Sequence, residues 1–344
     1  GWKAISEAGI QSEIEKIAIP MRGRMMHDEE GNTTFQQYGK DDEAIYSVSR
    51  GLLNQKLMTC AGDFENVSFF FNHQCLDVNL ENNELTFLNT ETNEKKKVTE
   101  GKIFATDGAF SAIRKRLMKT DRFNYQQMYL EHGYKELTIP AADGGGFKID
   151  KNALHIWPRG EYMMIALANE DGSFTCTLFF PFEGENSFGS IKTKADVEKF
   201  FNRVFPDAVE LMPNLVEEYF ENPTASLVTV RCSPWNYKDQ IIMMGDSSHA
   251  IVPFYGQGMN SGFEDCTVFN EIFESNKRDW EKSFKEFFDT RKKDADAISN
   301  LALQNFIEMR DLVADESFLL RKKIEKKIYK NHNRIVEFHF AYHF

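Results

Sequence analysis

The chain of 344 residues contains few cysteines, no long hydrophobic run and no excess of positive charge. Its five cysteines are an odd number without a CxxC pair, which argues against a disulfide framework or a cysteine zinc site and favours a reducing compartment. No apolar run approaches the ~18–20 residues that are needed to span a bilayer. With 41 basic and 53 acidic residues the formal net charge is −12, which argues against a nucleic-acid partner.

Aromatic residues are abundant, and 31 Phe, 11 Tyr and 4 Trp carry so much apolar surface that most of the chain must fold around a core. The length suits two domains or one large one. Patterning indicates α/β structure over 1–120, an antiparallel β-rich region over 125–230 and helices from 258 onward. Further expectations are a strand at 67–72, a polar turn at 91–97 and separate helices at 262–275, 280–291 and 294–313.

The first motif, residues 107–114, directly follows a predicted strand at 102–106 and precedes a helix from about Ser111. Gly108 permits a close approach of backbone to a ligand. Asp107 would place a carboxylate at the strand end, where it could accept a hydrogen bond from a hydroxyl. The alternative is a plain helix N-cap, with Asp107 or Ser111 as the capping residue.

The second motif begins with Gly245-Asp246 after another predicted strand, 240–244. The loop behind it carries glycines at 256, 258 and 262, which would let backbone N–H groups meet an anionic or electron-rich ligand at a helix start. Asp246 could accept from a ribitol or ribose hydroxyl. For His249, the pattern favours a buried core histidine with its hydrogen bonds satisfied over a ligand-binding role.

The two motifs, in this order and with a β-rich segment between them, resemble the flavoprotein aromatic hydroxylases, the p-hydroxybenzoate hydroxylase-like monooxygenases. Six further segments resemble those members of the family that hydroxylate L-kynurenine, and the match runs from residue 1 to about residue 313. These segments are 19–25, 46–50, 132–140, 154–159, 174–179 and 305–310.

The resemblance implies an α/β fold, α+β in part, with a Rossmann-like FAD-binding domain, an antiparallel-sheet substrate domain and C-terminal helices. The expected domains are 1–120 (part of the FAD-binding domain), 121–232 (β-rich substrate domain), 233–275 (return to the FAD-binding domain) and 276–344 (helical region). The glycine-rich dinucleotide fingerprint and the C-terminal membrane anchor of the family are not found. The chain is therefore expected to begin inside the family pattern.

The resemblance also implies roles for individual residues. A guanidinium grips a carboxylate with two parallel hydrogen bonds, which suits Arg24 as the partner of an amino-acid substrate. Sequence alone leaves open whether Arg24 is instead a surface arginine like Arg22. The implied substrate-binding residues are Arg24, Tyr38, Asn305, Phe254, Pro253 and Gln257, with Leu154, Ile156, Phe174 and Phe179 as weaker candidates. The implied FAD-binding residues are Arg50, Cys75, Asp107, Asp246, Met259 and Asn260, and no metal site is expected.

The implied reaction is hydroxylation of L-kynurenine at ring carbon 3, giving 3-hydroxykynurenine in tryptophan degradation. FAD would be the cofactor, with NADPH and O2 as co-substrates, a flavin C4a-hydroperoxide as oxidant and no catalytic protein base. The resemblance implies the cytosolic face of the mitochondrial outer membrane as location, although the present chain is expected to be soluble. Two alternatives are an FAD monooxygenase for another aromatic acid and a non-catalytic FAD-binding module.

Overall fold

Two hydrophobic cores organise the chain in this computed structural model, which describes residues 1–38, 43–99, 101–308, Leu320 and Ile324. One core lies in a first unit, made of residues 1–12, 57–129 and 228–303. The other lies in a second unit, made of residues 13–56, 130–227 and 304 onward. The bounds of the four domains expected from the sequence stay a prediction, and most of the expected helical region after residue 308 lies outside the described residues.

The helices and strands of the described residues have the following bounds. The helices are α1 (Trp2–Glu7), α2 (Gln11–Glu15), α3 (Arg50–Gly62), α4 (Ala112–Leu117), α5 (Lys194–Val204), α6 (Pro206–Val209), α7 (Leu215–Glu221), α8 (Asp246–His249), α9 (Gly258–Ser275) and α10 (Trp280–Ile307), with a 3₁₀ turn at Pro253–Tyr255. The strands are β1 (Ile19–Met21), β2 (Gly23–His27), β3 (Thr33–Gln37), β4 (Ile45–Ser47), β5 (His73–Asn79), β6 (Glu84–Asn89), β7 (Lys95–Thr99), β8 (Ile103–Ala105), β9 (Asn124–Ile139), β10 (Ala153–Pro158), β11 (Met163–Ala168), β12 (Phe174–Pro181), β13 (Ala225–Ser233), β14 (Asn236–Tyr237) and β15 (Ile241–Met243).

In the first unit, a three-stranded sheet has the order β14-β15-β8. Strands β15 and β8 are parallel, with Met243 beside Ala105. Strand β15 is buried at all three positions, as is typical of parallel strands, whereas Phe104 in the middle of β8 is exposed. Helices α9 and α10 supply Phe269, Phe284 and Phe287 to the same core. The carboxyl ends of β8 and β15 therefore meet at one edge of this sheet.

In the second unit, one large sheet follows the order β9-β12-β11-β10-β2-β3. Alternate residues of its strands point to opposite faces. One face packs against α5, α6 and α7, where Trp157, Phe180, Phe201 and Phe205 are completely buried. Each fully buried phenylalanine stabilises the fold by about 1.5–3 kcal/mol. This aromatic layer therefore fixes the sheet against the helices and leaves the opposite face of the sheet for other contacts.

Most of the predicted elements are confirmed, but four expectations are wrong. Residues 67–72 form no strand, because β-propensity gives a strand only where a neighbouring strand pairs with it. The lysine-rich segment expected to be a turn contains β7, which pairs with β6 and carries the exposed lysines typical of an edge strand. The helices predicted at 280–291 and 294–313 are joined in α10, since neither Gly nor Pro interrupts the junction.

The large sheet also departs from the purely antiparallel expectation, because β2 pairs parallel with β10. None of the helices in the described part of the chain is long and apolar enough to cross a membrane.

Candidate functional site

The two sequence motifs meet where β8 and β15 end. The Ser247 hydroxyl lies 2.6 Å from the carbonyl oxygen of Ala105 and 2.8 Å from that of Met244, so its one proton is shared between the two acceptors. The backbone N–H of Met244 also donates to the Ala105 carbonyl, at 3.1 Å. These bonds join the end of one strand to the turn that follows the other, so Asp107 and Asp246 are carried by adjacent parts of one sheet edge.

Arg114 links the same two motifs a second time. Its guanidinium donates to the Ser247 carbonyl at 2.6 Å and to the Ala109 carbonyl, and it lies 5.1 Å from the centre of the Tyr125 ring. The side chain is only 1% exposed. A buried guanidinium is tolerated because carbonyl oxygens accept its protons. Sequence analysis assigned Arg114 no role, and only its place one turn into a short helix could have suggested one.

Asp107 caps the helix that follows it. Its Oδ2 accepts from the backbone N–H groups of Ala112 at 2.8 Å and Ile113 at 3.3 Å, while Ser111 Oγ accepts from the N–H of Arg114 at 2.9 Å. The capping alternative is therefore confirmed for both Asp107 and Ser111. The Asp107 side chain remains exposed, and a carboxylate has about four acceptor sites, so capping leaves it able to accept from a ligand hydroxyl as well.

The turn at Gly245 presents Asp246. Gly245 has φ 59° and ψ −144°, a backbone conformation that is essentially restricted to glycine. The Asp246 side chain reaches solvent, yet desolvation by the surrounding protein atoms raises the pKa of its carboxyl, and the nearby His249 opposes that shift. A hydroxyl donor would restore the hydrogen bonding that desolvation removes, which fits the predicted contact with a polyol chain.

Helix α9 begins beside this turn with free backbone donors. Its N-cap residue, Gln257, makes no side-chain capping hydrogen bond, and the preceding Gly256 is left-handed with φ 64°. The first N–H groups of a helix have no intrahelical partner, and the helix dipole makes this end attractive to electron-rich atoms. A site with carboxylates for hydroxyl groups and uncapped amides for carbonyl oxygens fits FAD.

A buried charged cluster lies behind the turn, formed by Asp265, His249 and Arg291. Asp265 Oδ2 accepts from the Gly245 N–H at 2.8 Å and lies 2.6 Å from His249 Nε2, while Arg291 Nε donates to Oδ1 at 2.9 Å. Burial alone would raise the pKa of Asp265, but the hydrogen bonds and the Arg291 charge outweigh it and lower that pKa. The expectation that His249 is a core histidine with satisfied hydrogen bonds is confirmed. Sequence analysis missed Asp265 and Arg291.

In the second unit, Arg24 lies on the face of the sheet that does not pack against the helices. Its guanidinium carbon is 5.5 Å from the centre of the Tyr38 ring. Arg24 Nε is buried, and no group among the described residues accepts its proton. Burial raises the pKa of Tyr38, and the charge of Arg24 opposes the shift. Arg22 is exposed and lies outside the strands, whereas Arg24 is half-buried within β2.

The sheet register also sorts the weaker candidates. Leu154 pairs directly with Arg24, and Ile156 and Phe179 share that face. Phe174 points to the opposite face and is completely buried in the helix-packed core. Arg24 thus lies between an apolar neighbour, Leu154, and a polar one, Gln36, on this face of the sheet.

The remaining predicted residues have the following positions. Arg50 begins α3 with a side chain that is 79% exposed and donates to Glu136 Oε1 at 2.5 Å. Cys75 lies in β5, and burial, with the Asp107 charge, raises the pKa of its thiol to about 11. Asn305 is half-buried near the end of α10. The other five lie in or after the 3₁₀ turn of the first unit: Pro253, exposed; Phe254, buried; Gln257, half-buried; and Met259 and Asn260, in the first turn of α9.

Known proteins share this sequence closely. The family described as FAD binding domain matches residues 3–283. The chain is 48% identical over 332 residues to the kynurenine 3-monooxygenase of Christiangramia forsetii, covering 96% of this chain and 74% of that protein. It is 50% identical over 332 residues to the kynurenine 3-monooxygenase of Flavobacterium johnsoniae, with the same coverage of both chains.

Among solved structures, a variant of Klebsiella pneumoniae HpxO complexed with FAD superposes on this chain with a TM-score of 0.71 at 15% identity. The superposition covers 96% of this chain and 85% of that chain. Together with the family match, this likeness confirms the predicted fold class.

Proposed function

Because this chain belongs to the kynurenine 3-monooxygenases, it is an FAD-dependent monooxygenase that hydroxylates kynurenine, and we propose that Arg24 binds the substrate carboxylate. The supporting observation is the half-buried guanidinium whose Nε has no acceptor in the described part of the chain. A buried donor without a partner destabilises a protein by about 1–3 kcal/mol, unless a ligand supplies the acceptor. The carboxylate of an amino acid is such a ligand.

The surface next to Arg24 suits the rest of the substrate. Leu154 and Ile156 line the same face of the sheet. An aryl ring packed against them would remove its apolar surface from water, which favours binding. Tyr38 lies beside the Arg24 guanidinium. Its ring would stack against the guanidinium while the guanidinium binds the substrate carboxylate. The contacts proposed for Asn305, Pro253, Phe254 and Gln257 are extensions of the family resemblance.

For FAD, we assign binding to the first unit. Asp107 and Asp246 would accept from cofactor hydroxyl groups, and the free N–H groups at Gly258, Met259 and Asn260 would donate to oxygens of its ring system. The backbone at Cys75 completes the set proposed in this unit, and Arg50, which belongs to the second unit, is kept as an extension of the family resemblance. When bound, FAD supplies the redox chemistry, taking electrons from NADPH and activating O2 for transfer of one oxygen atom.

The protein's own contribution is binding, orientation and exclusion of water. The amino group of the kynurenine ring already makes the ring carbon beside it electron-rich, so hydroxylation at ring carbon 3 needs no protein base in this proposal. NADPH as the electron donor, O2 as the oxidant and a mitochondrial outer-membrane location belong to the same proposal.

Product analysis tests the proposed function. The purified protein is loaded with FAD and incubated with L-kynurenine and NADPH in air, and the products are separated by liquid chromatography with mass spectrometry. We expect 3-hydroxykynurenine to form in step with NADPH oxidation. Hydroxylation at another ring position, or NADPH oxidation that another aromatic acid stimulates more strongly than kynurenine, would contradict the proposal. Bound FAD without any product would favour a non-catalytic module.

A further inference from the structure

We propose that Asp265 is a positioning residue for FAD, holding the Gly245 turn and the start of α9 in the geometry that binds the cofactor. The proposal rests on the assignment of FAD to the first unit. Asp265 itself is completely buried, and nothing in the geometry requires it to touch FAD. It would act through the groups that it fixes.

The first argument is that one carboxylate oxygen holds the turn. Asp265 Oδ2 accepts from the Gly245 N–H at 2.8 Å and from His249 at 2.6 Å. A carboxylate can only accept, so Nε2 of His249 carries the proton of that bond. The two donors come from the two ends of the segment 245–249, which contains Asp246. The position of the Asp246 carboxyl is therefore set by Asp265 rather than by its own neighbours in sequence.

The second argument is that the turn needs external support. The backbone of Gly245 has φ 59° and ψ −144°, which glycine adopts readily among many other conformations, so the Gly245 residue alone does not fix the turn. A hydrogen bond to a charged acceptor contributes about 1.5–3 kcal/mol, which is enough to hold one residue in such a conformation.

The third argument is that the same carboxylate belongs to α9. Asp265 lies about two turns after Gly258 on that helix, so it connects the turn to the helix whose free N-terminus faces the cofactor site in the proposed function. Arg291 of α10 binds the other carboxylate oxygen at 2.9 Å and is itself 1% exposed. The strand end, α9 and α10 are thus joined at one side chain.

A purely structural ion pair is the competing explanation. Buried ion pairs contribute little net stability compared with apolar residues of the same size, because both charges must lose their water. The specific prediction of a positioning role is that removing the charge weakens FAD binding more than it weakens the fold of the FAD-free protein.

The test compares Asp265→Asn with Glu264→Gln. Asparagine has the same shape as aspartate, but its N–H₂ group replaces one of the two oxygens that now accept hydrogen bonds from Gly245, His249 and Arg291. Glu264 is the matched control, because it is exposed, lies next to Asp265 and binds the same Arg291 at 2.9 Å. FAD is removed from each protein, the FAD-free form is melted, and FAD is titrated back by quenching of flavin fluorescence. The visible circular dichroism of the bound flavin reports its surroundings.

We expect Asp265→Asn to raise the Kd for FAD at least about tenfold, or about 1.4 kcal/mol, and to change the flavin circular dichroism. Glu264→Gln should leave both unchanged. The inference is overturned if Asp265→Asn binds FAD with the wild-type Kd. It is also overturned if the weaker FAD binding of this variant is fully explained by the lower stability of its FAD-free form, as its Tm shows. Wild-type protein that fails to bind FAD overturns the proposed function itself.

A second variant keeps the test decisive if Asp265→Asn does not fold. His249→Gln leaves Asp265 and Arg291 paired and disturbs only one of the two donors to Oδ2. We expect a cooperative melt and a smaller rise in the Kd for FAD, about threefold to tenfold, as the loss of one hydrogen bond implies. An unchanged Kd in that protein would overturn the inference.

Discussion

His27 Nδ1 lies 2.6 Å from Asp207 Oδ2, and further hydrogen bonds extend from this pair. Nε2 of His155 is 2.8 Å from the Asp150 carbonyl, which can only accept, so His155 donates there. Its Nδ1 lies 2.9 Å from His27 Nε2, and the His27 ring stacks on Trp157. The two histidines, the Asp207 carboxylate and Trp157 thus form one hydrogen-bonded cluster.

This arrangement makes the stability of the second unit depend on His155 at acidic pH. Burial lowers the pKa of His155 from 6.5 to about 4. Between these values the unfolded chain takes up a proton that the folded chain does not, so the free energy of unfolding decreases as the pH falls. The loss should reach about 3 kcal/mol near the lower value, measured by urea unfolding across that pH range.

His155→Gln provides the control for this effect. It removes the titrating ring, so its free energy of unfolding should change less with pH than that of the wild type across the same range. Equal pH dependence in the two proteins would show that another group is responsible.

A second prediction concerns the partner of His27. Asp207→Asn removes the carboxylate beside the buried His27 ring and weakens the bifurcated hydrogen bond that Trp157 Nε1 donates to both carboxylate oxygens. Asp207 is partly accessible, so we expect a loss of about 2–3 kcal/mol of unfolding free energy, below the 3–5 kcal/mol of fully buried pairs. The exposed Asp143, changed to Asn, should leave stability within about 0.5 kcal/mol of wild type. Equal stability of the two variants would refute the assigned contacts of Asp207.

A third prediction separates Arg24 from Arg22 by steady-state kinetics. Arg24→Ala should raise KM for L-kynurenine about thirtyfold or more, which corresponds to about 2 kcal/mol of lost binding to a charged partner. Arg24→Lys should recover part of the loss, because an ammonium keeps the charge but lacks the planar fork. Arg22→Ala, in the exposed position, should keep KM near that of wild type. Similar KM values for all four proteins would reject the carboxylate contact.

A fourth prediction concerns the backbone at Gly245. A methyl group there would meet no atom within 4 Å, so any effect of Gly245→Ala comes from its φ of 59° and not from a clash. We expect a loss of about 1–3 kcal/mol in unfolding free energy together with weaker FAD binding. Gly51→Ala in helix α3 is the matched control, and it should be neutral or stabilising by up to about 1 kcal/mol. Comparable melting curves for the two variants would contradict this account.

The sequence was sufficient for those parts of the site that are local in the chain. The strand, turn and helix around residues 107–114 and 245–262 could be predicted because apolar strands, glycines and helix starts occupy consecutive positions. The sequence could not distinguish Arg24 from Arg22, because both are arginines close to the same strand. Preferring Arg24 depends on the strand boundary and on the pairing of Arg24 with Leu154.

The buried charged residues could not be predicted from the sequence, for a different reason. Asp265 lies on the buried stripe of α9 with Ser261, Phe269 and Ile272, so an acidic residue inside an otherwise covered stripe was the available signal. Its partners Gly245 and Arg291 come from other elements, and only the tertiary structure identifies them. The false strand at 67–72 has the same origin, since a strand depends on a neighbour that composition does not reveal.

The hydrogen bonds from Ser247 and Arg114 across the ends of β8 and β15 make the spacing of the two motifs independent of the region between them. Because these side chains fasten one motif directly to the other, the length and composition of the polypeptide between them do not determine their spacing. Loops and surfaces within 130–227 can diverge, lengthen or be exchanged while the sheet edge is preserved. Variation in that region need not alter how Asp107 and Asp246 are spaced at the sheet edge.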